Sequence, residues 1–312
     1  MKICAIPLGF LLLLTTPLLA QTPQEPARSS AGGATAEATI FAPDNIVAWC
    51  IVPFDATTRG PEERAAMLKR LGIRKLAYDW RDEHIATFDA EVDAMKSNGI
   101  EITAWWFPSA LDGTAQTILK VIERHKITPQ LWVMGGGTPT TDPAAQAAQV
   151  EREVARIRPI AEAAQKLGCK VALYNHGGWF GEPENQVAII EHLRSVGMQN
   201  VGIVYNFHHG HDHIARFPEL WKLMQPHLLA VNLNGMEQGA DKQGRKILNL
   251  STGDRELAMM RIIRGSGWRG PVGIIDHRPE TDSESTLKDN LRGLEWLRSE
   301  LNQPGSGGPK PF

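Results

Sequence analysis

From Asn45 to Leu301 the chain alternates short apolar runs with longer stretches in which apolar residues return every third or fourth position. Short apolar runs bounded by turns read as buried strands, and the longer periodic stretches as amphipathic helices. The pattern repeats eight times. The strand-like runs are Ile46–Phe54, Lys75–Trp80, Glu101–Phe107, Gln130–Met134, Lys170–Tyr174, Val201–Asn206, Leu228–Leu233 and Val272–Asp276. The helical stretches after them are Pro61–Leu71, Thr87–Ser97, Thr114–His125, Pro143–Leu167, Pro183–Val196, Ile214–Met224, Arg255–Gly265 and Glu284–Leu301. Local chemistry agrees. Pro61 suits a first helical turn, and Glu62 and Glu63 suit the positive end of the helix dipole. Thr87 reads as an N-cap, Gly99 as a stop, and Asp142-Pro143 as a cap followed by proline.

Eight alternating units predict a parallel sheet closed into a single (β/α)8 barrel over 45–302. A doubly wound open sheet is the competing arrangement. It would place a glycine-rich phosphate loop after the first strand, where this chain has Asp55-Ala56-Thr57-Thr58-Arg59. No nucleotide cofactor is expected. Gly135-Gly136-Gly137, after the fourth strand, is explained by tight backbone geometry about as well as by phosphate binding.

The flanks differ from the periodic region. Met1–Ala20 has Lys2 ahead of an apolar core centred on Leu11-Leu12-Leu13-Leu14, the pattern of a secretory signal and too short to span a bilayer. It predicts a secreted or periplasmic protein, with an uncleaved anchor as the alternative. Residues 21–44 read as a disordered tether and 303–312 as a flexible tail. The 312 residues are 42% hydrophobic and 22% charged, with net charge −2 and no Lys/Arg run, which argues against a nucleic-acid groove. Beyond the leader nothing is expected to enter a membrane. Cys50 and Cys169 lie in strand-like runs and read as two buried free thiols, more readily than as a disulfide.

The two rims of such a barrel are chemically unequal. Active sites lie at the C-terminal ends of the strands. There the second strand offers Asp79-Trp80-Arg81, the third Trp105-Trp106, and the fifth Tyr174-Asn175-His176 followed by Trp179 and Glu182. The sixth offers Asn206, His208 and His209, with His211 and His213 close behind; four of the ten histidines fall within six residues. The seventh gives Asn232 and Asn234, and the eighth Asp276-His277-Arg278. The opposite rim shows Gly72-Ile73, Gly99-Ile100 and Gly168-Cys169, without functional groups. Imidazoles titrate near neutrality and ligate metals. Trp80, Trp105, Trp106 and Trp179 could stack on sugar rings or pack the strand–helix layer. Asn206, Asn232, Asn234 and Arg278 could read hydroxyls; the alternative for the two asparagines of the seventh strand is loop-capping.

The eight units, the Tyr174-Asn175-His176-Gly177-Gly178 strand end and the Gly270-Pro271-Val272-Gly273-Ile274-Ile275-Asp276-His277 strand together resemble the xylose isomerase-like superfamily. The resemblance covers Asn45 to about Leu301 and implies carbohydrate chemistry, with a divalent metal held by Glu at the fifth strand, Asp-x-x-His at the sixth and Glu at the eighth. This chain departs from that set. Tyr174 stands for the first Glu, Asn206 for the Asp (His209 keeps the histidine), and Asp276 with His277 for the last Glu. Tyr and Asn are poor ligands beside ionised carboxylates. A rebuilt site for Mn, Zn, Co or Fe could draw on His176, Glu182, His208, His209, His211 and Asp276.

The expected partner is a small-molecule carbohydrate. The expected activity is an isomerase, epimerase or lyase that abstracts a proton next to a carbonyl of an unphosphorylated sugar, such as a 3-keto sugar. His176 or His209 would be the base, Asp79 and Asp276 would orient histidines or bind hydroxyls, and Arg81 with Arg278 would neutralise the oxyanion in a metal's place. Two alternatives stand beside this. One is a non-catalytic sugar-binding barrel, motivated by Tyr174 and Asn206. The other is a glycoside hydrolase pairing Asp79 with Glu182 or Asp276.

Overall fold

The structure, a computed structural model, describes Met1 and residues 40–312. The signal-like segment and almost all of the tether lie outside the described residues. Eight strands, β1 (Ile46–Trp49), β2 (Lys75–Tyr78), β3 (Glu101–Phe107), β4 (Gln130–Val133), β5 (Val171–Tyr174), β6 (Val201–Asn206), β7 (Leu228–Leu233) and β8 (Val272–Ile275), pair in parallel in chain order. β8 returns to β1, with Trp49 beside Ile275, and the barrel closes. The return helices are α1 (Pro61–Arg70), α2 (Phe88–Ser97), α3 (Gly113–His125), α4 (Pro143–Lys166), the short α5 (Gly178–Gly181), α6 (Pro183–Ser195), α7 (Phe217–Met224), α8 (Glu256–Gly265) and α9 (Ser283–Asn302).

Strand alternation divides the apolar residues between two layers. Leu76, Tyr78, Trp105, Val133, Leu173, Ile203, Val231 and Ile274 face the helices. Val47, Trp49, Ala77, Ala104, Trp132, Ala172, Tyr174, Val204, Ala230 and Ile275 face the axis. Alanines on β2, β3, β5 and β7 leave room for large rings from the other strands. Trp49 meets Trp132 edge-on at 4.7 Å, and Trp106 meets Tyr174 edge-on at 4.9 Å. These edge-to-face contacts plug the barrel and form the floor of its C-terminal mouth.

Some boundaries shift for local reasons. Asp142 caps α4, accepting from the amides of Ala144 and Ala145. Thr87 does not cap α2; Asp82–Thr87 is a 3-10 turn and the Thr87 hydroxyl donates back to the His84 carbonyl at 2.9 Å. α7 starts at Phe217, because His211–Arg216 also forms a 3-10 turn. Packing begins before Asn45: Ile40 and Phe41 are buried in the outer core. The C-terminal tail is tied down, with the amides of Gly305 and Gly307 donating to Glu300 and the Trp296 indole to the Gly308 carbonyl. Cys50 and Cys169 are buried and unbridged. Among the described residues no helix is long and apolar enough to cross a membrane.

Candidate active site

A pocket of about 320 Å³, partly open to solvent, sits over the aromatic plug at the C-terminal mouth. In an eight-stranded ring β1 and β2 lie opposite β5 and β6. The pocket therefore has two facing walls. Cys50, Asp79 and Arg81 form one, Tyr174, His176 and His209 the other, with Trp106 between them and Phe54 and His277 closing the β8 side.

On the first wall Asp79 is buried at the end of β2. One of its oxygens accepts from the Val52 amide at 3.3 Å, and the other has no partner. Burial raises its carboxyl to about 7, against the pull of Arg81. Cys50 sits beside it in a left-handed turn, φ 54°. Burial and the neighbouring Asp79 push its thiol well up, so it remains neutral. Arg81 donates to the Trp80 carbonyl at 2.7 Å and lies over the Phe54 ring at 5.3 Å.

The second wall is a cluster of tilted imidazoles. The rings of His176 and His209 are 4.5 Å apart, and those of His208 and His209 are 4.1 Å apart. The Tyr174 hydroxyl meets Nε2 of His208 at 3.4 Å. Burial holds His176 below its ordinary value, and the charge of Lys246 adds to it. The same two causes bring His209 to about 2. Burial and then His209 keep His208 low. His277, stacked on Phe54 at 4.1 Å, falls to about 4 by burial. Near neutral pH this wall presents uncharged imidazoles, of which His176 is the least buried.

The remaining candidates have other tasks. Trp105, next to Trp106 on β3, faces outward, edge-on to Tyr78 and Phe88; Trp80 packs on Phe88, and Trp179 lies under α4, donating to Gln146. Of the four tryptophans proposed as platforms, Trp106 alone lines the pocket, joined by Trp49. Asp276 turns toward α9 and accepts from Thr281 at 3.0 Å and Ser283 at 2.9 Å, because Ile275 takes the axial position. Arg278 donates to Asn249. Asn234 braces its loop, bonding the carbonyls of Gly235 and Lys246 and the amide of Leu248. Asn206 donates to Asn175 and accepts from Asn232 at 2.6 Å, in a buried amide ladder. Asn232 fits there because Gly273 opposite has no Cβ, which would meet its oxygen at 1.8 Å. Gly135 is likewise a packing glycine, against the Phe180 ring. Glu182 pairs with His213 and Arg216, and both ring nitrogens of His211 meet backbone carbonyls at 2.9 Å.

The residues present do not fit the divalent metal that the superfamily resemblance implies. Asn206 has its amide spent on Asn175 and Asn232, Asp276 faces α9, and Glu182 and His211 are engaged elsewhere. Among the described residues no three His, Cys, Asp or Glu side chains converge as a metal-binding group. Asp79 is the one carboxylate that lines the pocket among the described residues, so the two-carboxylate arrangement of a hydrolase is not assembled there.

The site also contains residues that sequence reasoning left out. Cys50 was visible only as a buried thiol, and Phe54 only as the end of an apolar run. His277 was visible as a strand-end polar residue. Lys246, outside the pocket lining though its charge bears on the histidines, lies in the long loop between β7 and α8, which has no periodicity to place it.

The profile described as xylose isomerase-like TIM barrel matches residues 77–300. Among solved structures, the 3-keto-D-glucoside 4-epimerase of E. coli superposes with a TM-score of 0.59 at 16% identity, covering 82% of this chain and 99% of that one. The IOLI protein with a bound zinc atom gives 0.62 at 12% identity, covering 82% and 98%. A D-psicose 3-epimerase in the presence of D-fructose gives 0.57 at 16%, covering 82% and 99%. At these identities the likeness is one of fold. Comparison with curated protein sequences finds none that matches. The family match spans well over half of the chain, and the chain belongs to the xylose isomerase-like TIM barrel family.

Proposed function

We propose that the protein is an exported sugar isomerase or epimerase that moves a proton at a carbon next to a carbonyl of an unphosphorylated sugar, such as a 3-keto sugar. The observation that carries this reading is the pair of proton-active walls facing each other across one pocket: neutral His176 and His209 on one side, Asp79 on the other. The activities named for the similar structures, epimerisation of a 3-keto-glucoside and of psicose, agree with it. The leader Met1–Ala20 supports export.

In this scheme His176 takes the proton from the carbon beside the carbonyl, and His209, its ring 4.5 Å away, positions it. The charge that develops on the carbonyl oxygen faces Arg81, fixed by the Trp80 carbonyl and the Phe54 ring. Asp79, with its carboxyl near 7, is partly protonated at neutral pH and returns a proton from the opposite face, inverting the carbon. The Val52 amide holds one oxygen of Asp79. Trp106 offers a flat apolar surface to the ring. A lyase would share the first step and then expel a β-substituent.

The test is a screen of unphosphorylated aldoses, ketoses and 3-keto sugars, with NMR detection of an epimer or isomer. A product formed by the wild type, and lost by His176→Ala/His209→Ala while sugar binding persists, supports the reading. Sugar binding without product from any of these substrates would put the non-catalytic barrel in its place.

A further inference from the structure

The turns at the N-terminal mouth of the barrel, Gly72-Ile73, Gly99-Ile100 and Gly168-Cys169, carry no functional groups, but the strand starts beside them do. Residues two apart on a strand share a face. Ala77, Trp132 and Ala172 face the axis, so Lys75, Gln130 and Lys170, each two residues earlier, face it one tier lower. The branched apolar residues that usually fill such a tier are replaced by polar and cationic ones. These three residues, with Asn45 and Arg269, line an open pocket of about 860 Å³. Gln130 accepts from the Trp132 indole at 3.0 Å and closes the mouth beneath the aromatic plug. Lys75 starts β2, Lys170 leads into β5 and Arg269 into β8, strands spread around the closed ring, so the three cations surround the mouth. Lys75 reaches the Asn45 oxygen at 3.5 Å, and Asn45 donates to the carbonyls of Ile40 and Gly270 at 2.8 and 2.9 Å. Glu101 is the one carboxylate in the lining, and among the described residues no carboxylate oxygen lies within 4.0 Å of Lys75, Lys170 or Arg269. The chain as a whole carries a net charge of −2, so the positive charge of this mouth is local.

We propose that the N-terminal mouth is a second binding site, separate from the sugar pocket, for a small organic anion with two or three carboxylates. Cations placed around a mouth match carboxylates carried on different arms of one molecule, and the Arg269 guanidinium suits a carboxylate's two oxygens. A compact phosphate is usually gathered by a glycine-rich turn or a helix N-terminus. In this barrel the helices run back toward this mouth and end there, so it offers no helix N-terminus.

Calorimetric titration of the purified protein with citrate, acetate and inorganic phosphate tests this. Citrate should bind with one molecule per chain, more tightly than either of the other two. Lys75→Gln and Lys170→Gln should each weaken citrate by about fivefold, the upper end for an exposed charge pair, and the double variant by more. Lys170→Arg, which keeps the charge, should bind citrate as the wild type does. Unfolding midpoints without citrate show that the variants are folded, and should Lys75→Gln not fold, the exposed Lys170 carries the test alone. Added citrate should raise the wild-type midpoint more than that of Lys170→Gln. No citrate binding by the wild type, citrate binding that is unchanged in Lys170→Gln, or phosphate as the tightest ligand would each overturn the inference. The sugar reading of the opposite mouth stands or falls separately.

Discussion

Two pairs of histidines leave the same strand end and meet different fates. His208 and His209 follow β6 directly and join the imidazole wall, where His209 borders the pocket. His211 and His213 come a few residues later and turn away from it. His211 places one ring nitrogen against the Glu237 carbonyl and the other against the Lys246 carbonyl, both at 2.9 Å, fastening the β6 loop to the β7–α8 loop. His213 spends Nδ1 on the Tyr205 hydroxyl at 3.0 Å and faces Glu182 with Nε2. Gly210 makes the turn between the pairs possible, since a Cβ there would meet the Tyr205 oxygen at 2.4 Å. A histidine is available for chemistry when its nitrogens are not already bonded to the protein, and spacing in the chain does not reveal that.

The comparison breaks most sharply in turnover. His209→Ala should lower it by about a hundredfold, as expected when the ring that positions the base His176 is lost. His213→Ala should leave turnover per folded molecule near the wild-type value. Equal losses in the two variants would erase the distinction. Stability should show the reverse order. His211→Ala removes a buried ring that ties the Glu237 and Lys246 carbonyls together and should cost about 1–3 kcal/mol in denaturant unfolding.

Acid should separate the pairs again. His208, His209 and His277 are held below the ordinary value of 6.5, so the unfolded chain binds more protons and stability falls as pH drops from about 6.5 toward 4. Asp79 and Asp276 act in the opposite direction. Their carboxyls are raised to about 7 and about 6, so their contribution is greatest below the ordinary 3.8 and is lost as pH rises through 6 to 7. Removing the histidine part with His209→Gln/His277→Gln should therefore make stability fall less between pH 6.5 and 4 than it does in the wild type, read from unfolding midpoints. The smallest effect is expected at Glu182. Its pairs with His213 and Arg216 are partly exposed, and Glu182→Gln should change stability by less than about 1 kcal/mol.

The barrel was legible because its eight strand–helix units carry their periods openly, and the chemistry-bearing rim was legible because polar residues gather after strands rather than before them. The facing of individual side chains was not. Trp105 and Trp106 are adjacent, so alternation sends one to the helices and one to the pocket, and their identity does not say which. The same rule turned Asp276 outward once Ile275 faced the axis. Asn206 looked like a displaced metal ligand; its amide is instead the middle rung between Asn175 and Asn232, a role that needs both a donor and an acceptor. Lys246 was beyond reach because its position depends on contacts made by His211 and Asn234 from two other parts of the chain.

The central claim is that His176, positioned by His209, removes a proton from a sugar carbon without the family's carboxylate metal set. Solvent exchange tests it most directly. Unphosphorylated ketoses and 3-keto sugars are incubated in D2O with EDTA-treated protein, and carbon-bound deuterium is followed by NMR. The account predicts deuterium at the carbon next to the carbonyl with the wild type, and none with His176→Ala/His209→Ala. Exchange that appears only after Mn or Zn is restored, or that proceeds equally in the double variant, would contradict it.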